Sequence, residues 1–198
     1  MNIVRPSVEQ VSIYLKKWET MENYVLQEHS LRKLFSETYP KNIDMDDVLI
    51  KVCSLNDFYS TNIFSPFTVA KHIVALNIDQ RLACRDMSVV NDIAIVKVNG
   101  QKTRNFYSFA TKYCSHHFPN DYPIYDSFVE KMLMYFKRDD KFHKFHRGDL
   151  KYYPSYHAIL MEFRKFYMLE DFSLKEVDKY LWQVGKDCFP KNYRPKEI

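Results

Sequence analysis

Glycine occurs only three times in the 198 residues of this chain. Globular proteins contain about 7% glycine, so this chain holds few of the residues that accept positive φ angles in tight turns. The scarcity disfavours a turn-rich β-sandwich or β-barrel. It also excludes the common glycine-rich phosphate loops, because neither G-x-G-x-x-G nor G-x-x-x-x-G-K-[ST] is present.

Apolar residues recur at the spacing of α-helices along almost the whole chain. Ser173 and Glu176 form a capping box before an apolar stripe, and carboxylates at 44, 46 and 47 mark another helix start. Further helices are predicted over residues 67–76, 89–98 and 103–114. The sequence therefore predicts an all-α protein with no repeat and no linker.

Several classes of protein are excluded by what the sequence lacks. The four cysteines form no C-x-x-C pair, which argues against a disulfide framework, a zinc site and an iron–sulfur cluster. The Cys114-x-His116-His117 and His143-x-x-His146 patterns lack a four-ligand set, so no metal and no cofactor are expected. The longest uncharged stretch, residues 58–70, is too short to span a membrane. We expect a soluble, reduced, cytoplasmic protein.

Positive charge is concentrated in one window, residues 137–165, which has eight basic and four acidic residues. Lys141, Lys144 and Arg147 lie in this window among phenylalanines and tyrosines. Basic and aromatic side chains in alternation suit phosphate contact and base stacking. The other interpretation is a solvated helix face over an aromatic core, and the sequence leaves both open.

Two residues suggest chemistry. The Asn99-Gly100 turn places Lys102 at the start of the predicted helix 103–114, where the positive end of the helix dipole favours the neutral amine. Asp126 is the expected N-cap of the next helix. The ten-residue connector is long enough to return the chain, so both helix starts can face one cleft. A lysine amine and a carboxylate in one cleft suit chemistry at a glycosyl bond.

These residues resemble the helix-hairpin-helix DNA glycosylase superfamily, in which a G-x-G-x-K hairpin, a helix and a V-D-x-x-V turn follow in order. The corresponding segments here read Val98-Asn-Gly-Gln-Lys102 and Tyr125-Asp-Ser-Phe-Val129. A further segment, Cys53-Ser-Leu-Asn56, is similar to the C-S-x-N turn of the 8-oxoguanine DNA glycosylases. The hairpin has one glycine where the family usually has two, and the lysine-to-aspartate spacing of 24 is longer than usual.

The resemblance implies a two-lobed all-α domain over residues 1–198, with a middle lobe at about 45–135 and the terminal helices in the second lobe. It implies a DNA glycosylase of base-excision repair with abasic-site lyase activity, acting on duplex DNA. Lys102 would form the Schiff base, Asp126 would stabilise the cationic sugar, and Asn56 would fill the space of the extruded base. The remaining expected DNA contacts are Asn99, Gly100, Gln101, Arg104, Lys141, Lys144 and Arg147.

Each of these residues also has an ordinary structural explanation. Lys102 can be a surface lysine, Asp126 a helix cap and Asn56 a helix-terminating residue. The alternative functions are a catalytically inactive nucleic-acid-binding module and a helical bundle that binds other proteins. The lesion and the oligomeric state cannot be inferred from the sequence.

Overall fold

The computed structural model describes residues 3–98 and 102–189, and this part of the chain is mostly helical. Its ten α-helices are α1 (Val8–Glu19), α2 (Glu22–Arg32), α3 (Met45–Tyr59), α4 (Pro66–Leu76), α5 (Asp79–Ala83), α6 (Val89–Ala94), α7 (Tyr107–His117), α8 (Ser127–Asp139), α9 (Tyr153–Phe166) and α10 (Leu174–Cys188). A π-helical segment, Lys33–Thr38, continues α2, and a 3-10 helix, Arg147–Lys151, precedes α9. The predicted helical class is confirmed at this level.

Helix starts coincide with the capping residues in the sequence. In α10 the Glu176 backbone N–H donates to Ser173 Oγ at 3.2 Å, and the Ser173 N–H donates to Glu176 Oε2 at 2.7 Å. At α8 the Phe128 N–H donates to Asp126 Oδ1 at 2.7 Å. Both pairs satisfy backbone donors that would otherwise lack a partner at a helix N-terminus.

The predicted helices 89–98 and 103–114 are wrong at their adjoining ends. Helix α6 stops at Ala94, and residues Ile95–Val98 form strand β1. Strand β2, Lys102–Asn105, pairs with β1 in antiparallel register, with Lys102 opposite Val98. Helix α7 begins only at Tyr107.

The composition of β1 explains this difference. Ile95, Val96 and Val98 are β-branched and lose side-chain freedom in a helix. Val96 is buried between exposed neighbours, which is the period-two pattern of a strand and not the period of a helix. The connection at residues 99–101 lies outside the described residues.

Helix contacts bring distant parts of the chain together around a core of buried apolar side chains. Helix α3 packs on α4 and α7, and α6 packs on α7. Helix α10 packs on α1 and α8. The N-terminal helix is therefore held by the last described helix.

Polar and aromatic contacts fix α1 against α10. Gln183 Nε2 donates to the Tyr14 carbonyl at 2.9 Å, and Lys17 Nζ lies 2.7 Å from Asp187 Oδ2. The Tyr14 and Tyr180 rings meet edge to face, with their centroids 5.6 Å apart.

Helix α10 approaches the first turn of α8 closely at Gly185. A Cβ atom at this position would lie 2.8 Å from Phe128 Cβ and 2.9 Å from the Phe128 carbonyl oxygen. Only glycine lets the two backbones meet at this distance. Since Phe128 follows the Asp126 cap by two residues, the contact also positions the start of α8.

Within the described ranges, none of the helices combines the length and the apolar character needed to cross a lipid bilayer.

Candidate active site

Helix α7 carries a polar stripe in an otherwise buried surface. Ser108, Lys112 and Ser115 follow one another at i, i+4 and i+7, so they lie on one side of the helix. Their neighbours Phe109 and Tyr113 belong to the core. The Lys112 residue is only 4% exposed. A lysine this deep in a protein is rare and needs a specific explanation.

The Lys112 amine has few partners for its depth. Its Nζ donates to Ser108 Oγ at 2.6 Å and to the Ser108 carbonyl at 3.2 Å. It also lies 5.2 Å from the centroid of the Tyr59 ring on α3. Burial lowers the pKa of Lys112 to about 8, against the opposing effect of Asp126 and Asp178. A substantial fraction of this amine is therefore neutral near pH 8.

Asp126 is held beside α7 by the chain that precedes it. Ser108 Oγ donates to the Tyr125 carbonyl at 3.3 Å, and the Tyr125 N–H donates to Thr111 Oγ1 at 3.1 Å. The next residue is Asp126, whose carboxylate caps α8. The same serine that contacts Lys112 thus also holds the segment that bears the carboxylate.

A third ionisable group, Asp178, comes from α10. It is only 6% exposed, and no residue in the described part of the chain hydrogen-bonds to its carboxylate. Burial raises the pKa of Asp178 to about 7; Lys175 and Lys112 lower it, and Asp126 raises it. The carboxyl therefore exchanges a proton near neutral pH. Sequence reasoning missed this residue because Asp178, in the second turn of α10, belongs to no catalytic or ligand-binding motif.

Together the three groups suit nucleophilic and acid–base chemistry. A partly neutral amine can attack an electrophilic carbon, and an acid with a pKa near 7 can transfer protons in both directions. Shifted pKa values from burial and specific charges are typical of functional sites.

A buried lysine elsewhere in the protein shows the contrasting, purely structural case. Lys51 Nζ donates to the carbonyls of Tyr39 at 3.0 Å and Lys41 at 2.8 Å, and to Asn42 Oδ1 at 2.7 Å. All three ammonium hydrogens are used. Burial lowers the pKa of Lys51 to about 8 as well, so the pKa alone does not separate the two lysines.

The structure does not place Lys102 where the sequence predicted it. Lys102 is exposed in β2, five residues before α7 begins, so the dipole of that helix does not act on it as expected. Across residues 3–98 and 102–189, no hydrogen bond or ion pair joins Lys102 to Asp126. The lysine whose charge interacts with Asp126 is Lys112.

A sequence signal for Lys112 existed. Lys112 follows the core residue Phe109 by three positions. A residue at i+3 lies on the same side of a helix, so this spacing could have indicated a buried lysine, although no such prediction was made. The motif drew attention to Lys102 instead.

Asn56 lies in the last turn of α3, and three hydrogen bonds hold its side chain. Its Oδ1 accepts from Thr61 Oγ1 at 2.8 Å and from the Ile63 N–H at 2.9 Å, while Nδ2 donates to the Ile63 carbonyl at 3.2 Å. These bonds hold the loop that presents Phe64 at 95% exposure. Both recorded bonds of the Asn56 oxygen and one N–H of its amide are thus used within the protein, and the expected DNA contact would have to come from the second Nδ2 hydrogen.

The other expected DNA contacts differ in whether the structure describes them and in whether they are free to bind DNA. Asn99, Gly100 and Gln101 lie outside the described residues. Arg104 is exposed in β2, and Lys141 and Lys144 are exposed after α8. Arg147 instead pairs with the buried Glu130, its Nη2 2.5 Å from Glu130 Oε1.

Glu130 is the centre of a small buried cluster beside the basic window. The Tyr125 hydroxyl donates to its carboxylate, Lys151 Nζ donates to that hydroxyl, and Lys151 Nζ lies 3.0 Å from Glu130 Oε2. Most aromatic residues of the window, Phe142, Phe145, Tyr153 and Tyr156, are buried. They form core and not a stacking surface, and Tyr152 is the exposed exception.

Among the described residues no group of three or more His, Cys, Asp or Glu side chains is arranged to hold a metal ion.

Comparison with known proteins identifies a family but no function. The HI_0787_N family model, described as an N-terminal domain, matches residues 10–121. A curated relative from Haemophilus influenzae, printed as an uncharacterized protein, is 46% identical over 149 residues, which cover 75% of this chain and 71% of the relative. No solved structure matches the chain. The range matched by the family model includes Lys112 and ends before Asp126 and Asp178.

Proposed function

This chain belongs to the HI_0787_N N-terminal domain family, and we propose that it binds duplex DNA and acts on damaged or abasic nucleotides through the amine of Lys112. The observation that carries the proposal is Lys112, which is buried on α7 with Ser108 as its hydrogen-bond partner in the described residues and whose charge interacts with Asp126 and Asp178. The order of a helical lysine and a cap aspartate also agrees with the glycosylase resemblance. In this version of the site, Lys112 takes the role that the motif assigned to Lys102.

The chemistry follows from the groups present. The neutral Lys112 amine adds to C1′ of an abasic deoxyribose, and loss of water leaves a C=N bond. Removal of a C2′ proton then breaks the C3′–O bond and releases the 3′ phosphate. Asp178, with a pKa near 7, is suited to move these protons. When the base is still attached, the Asp126 carboxylate would stabilise the positive charge that develops on the sugar.

A non-catalytic DNA-binding module is the second candidate. Arg104, Lys141 and Lys144 are exposed cations, and none of them pairs with a carboxylate in the described part of the chain. Phosphate contact needs such cations, whether or not chemistry follows. This candidate needs no role for Lys112.

Borohydride trapping on a duplex with a single abasic site tests the proposal. We expect the wild-type protein and the Lys102→Gln variant to form a covalent adduct, and the Lys112→Gln variant to form none. Circular dichroism on all three proteins checks that they are folded. An adduct that persists in Lys112→Gln and is lost in Lys102→Gln would identify Lys102 as the nucleophile and contradict the proposal. Salt-sensitive binding with no adduct in any protein would support the non-catalytic module.

A further inference from the structure

A groove of about 380 Å³ opens beside the candidate active site, between α2, α7 and α10. Its lining residues include Arg32 from α2, Ser115 and His116 from α7, and Lys175 and Lys179 from α10. The volume lies within the range of small-molecule sites and is larger than a single inorganic ion needs.

The charge of the groove is positive. Arg32, Lys175 and Lys179 face one carboxylate, Glu28, which gives a formal charge of +2. Lys179 Nζ lies 2.7 Å and Lys175 Nζ 3.5 Å from the two Glu28 oxygens. The lysine side chains are only 18% and 15% exposed, so both are held in the wall of the groove. Asp178, which does not line the groove, also interacts with both lysines, but among the lining residues the cations outnumber the carboxylate, which suits an anion.

A buried hydroxyl in the same wall has no partner. Ser115 is 1% exposed, and its Oγ makes no hydrogen bond within the described residues. Leaving a buried polar atom unsatisfied costs about 1–3 kcal/mol, so such an atom at a groove points to a missing ligand. A serine hydroxyl can donate to a phosphate oxygen.

His116 adds a second inward-facing group. Its Nε2 lies 3.1 Å from the Tyr59 hydroxyl, and the other ring nitrogen has no hydrogen bond among the described residues. Burial, assisted by Lys175, lowers the pKa of His116 well below its ordinary value. The imidazole is therefore neutral and can offer one nitrogen to a ligand without adding charge.

We propose that this groove binds the phosphate group of a small phosphorylated ligand of about nucleotide size, with Lys175, Lys179 and the Ser115 hydroxyl as its contacts. Ser173 and Lys175 line the groove where α10 begins, so the lysine is held at the same end of the groove as the cap of that helix. The volume beyond the phosphate would hold the rest of the ligand. The site does not depend on the amine chemistry proposed for Lys112.

Isothermal titration calorimetry with AMP, and separately with inorganic phosphate, tests this assignment in the absence of DNA. We expect AMP to bind the wild-type protein, and Ser115→Ala to weaken binding about tenfold. Lys175→Gln should weaken it further. Lys71→Gln, which removes an exposed cation on α4 outside the groove, is the matched control and should bind as wild type does.

The outcomes separate the possible ligands. Binding of AMP that is tighter than that of phosphate, and sensitive to Ser115→Ala, supports the proposal. Equal affinity for AMP and phosphate would mean that the groove holds only the ion, and no binding at millimolar AMP would also overturn the assignment. If Ser115→Ala weakened duplex DNA binding and not AMP binding, the groove would contact the DNA backbone instead. None of these results bears on borohydride trapping, so the two proposals fail separately.

Discussion

The Nζ atom of Lys112 lies 2.6 Å from the hydroxyl of Ser108, one turn earlier on the same helix. This contact and the Ser108 carbonyl are its hydrogen bonds within the described residues, whereas Lys51 donates to three acceptors. Both lysines are buried and both have a pKa of about 8. The two lysines therefore differ in how many of their ammonium hydrogens have an acceptor within the described residues.

The first prediction is the pH dependence of adduct formation. The pKa of Lys112 is lowered to about 8, so its neutral fraction rises through that pH. With a single group controlling the rate, adduct formation should rise about fivefold from pH 7 to pH 8 and level off above about pH 9. Trapping on an abasic duplex with cyanoborohydride at each pH measures this. A midpoint near the ordinary value for lysine would contradict Lys112 as the nucleophile.

The second prediction compares the two buried lysines by substitution. Lys51→Met leaves two carbonyls and the Asn42 amide oxygen with fewer donors, so we expect a loss of about 2–4 kcal/mol in unfolding free energy. Lys112→Met removes a poorly satisfied charge and should stay within about 1 kcal/mol of wild type. Urea denaturation of both variants at pH 7 measures the difference. Equal losses would argue that Lys112 is also structural.

The third prediction concerns Asp178 and the pH dependence of stability. The pKa of Asp178 is raised to about 7 from its usual 3.8, so the folded state binds this proton more tightly than the unfolded state. The carboxyl therefore costs stability progressively as the pH rises from about 4 to 7. At pH 8, Asp178→Asn should therefore raise the free energy of unfolding by up to a few kcal/mol, since each pKa unit equals about 1.4 kcal/mol. The variant should unfold at a higher temperature than wild type.

The stabilising effect of Asp178→Asn should shrink as the pH falls towards 4, where the wild-type carboxyl is also neutral. Differential scanning calorimetry at pH 4, 6 and 8 provides the comparison. Asp171→Asn, at an exposed position before α10, serves as the control. A gain that is the same at all three pH values would mean that the carboxyl is not a source of instability.

The fourth prediction is that Gly185→Ala destabilises the protein. The added Cβ would lie 2.8 Å from Phe128 Cβ and 2.9 Å from the Phe128 carbonyl, so α10 and α8 must move apart. We expect a loss of about 1–3 kcal/mol, although alanine is the better helix former. Gly148→Ala, where a Cβ meets no atom within 4 Å, is the matched control. Chemical denaturation of both variants would reveal whether the close approach matters.

The fifth prediction concerns DNA binding. Each lysine that contacts a phosphate contributes about one unit to the dependence of log K on log salt concentration. The double variant Lys141→Gln, Lys144→Gln should lower that slope by about two if both side chains contact the backbone. Fluorescence anisotropy with a labelled duplex between 50 and 200 mM salt measures the slope. The pair Lys16→Gln, Lys71→Gln, exposed on α1 and α4, should leave it unchanged.

The helices were largely predictable from the sequence because their starts carry local signals. The Ser173 and Glu176 capping box and the Asp126 cap act within three residues of chain, and both are present in the structure. The β-hairpin was missed because its residues also fit a helical pattern. The β-branched residues Ile95, Val96 and Val98 before the Asn99-Gly100 dipeptide were a local signal for a strand, and the alternating burial around Val96 agrees with it.

The candidate site was harder to predict, because it depends on contacts between distant segments. Asp126 was found from its local role as a cap. The charge of Asp178 interacts with Lys112 although the two residues are 66 positions apart in the sequence, and no local pattern indicates this. Lys112 was passed over because the motif pointed to Lys102, which lies in β2 and not in α7.

The contact of α1 with α10 has a consequence for the order of folding. Gln183 donates to the Tyr14 carbonyl across 169 positions, so α1 leaves the ribosome long before its partner is made. The contacts of α3 with α4 and of α6 with α7 are local and can form during synthesis. We therefore expect α7, which carries Lys112, to make its contacts first. Helix α10, which carries Asp178, would pack last, against α1.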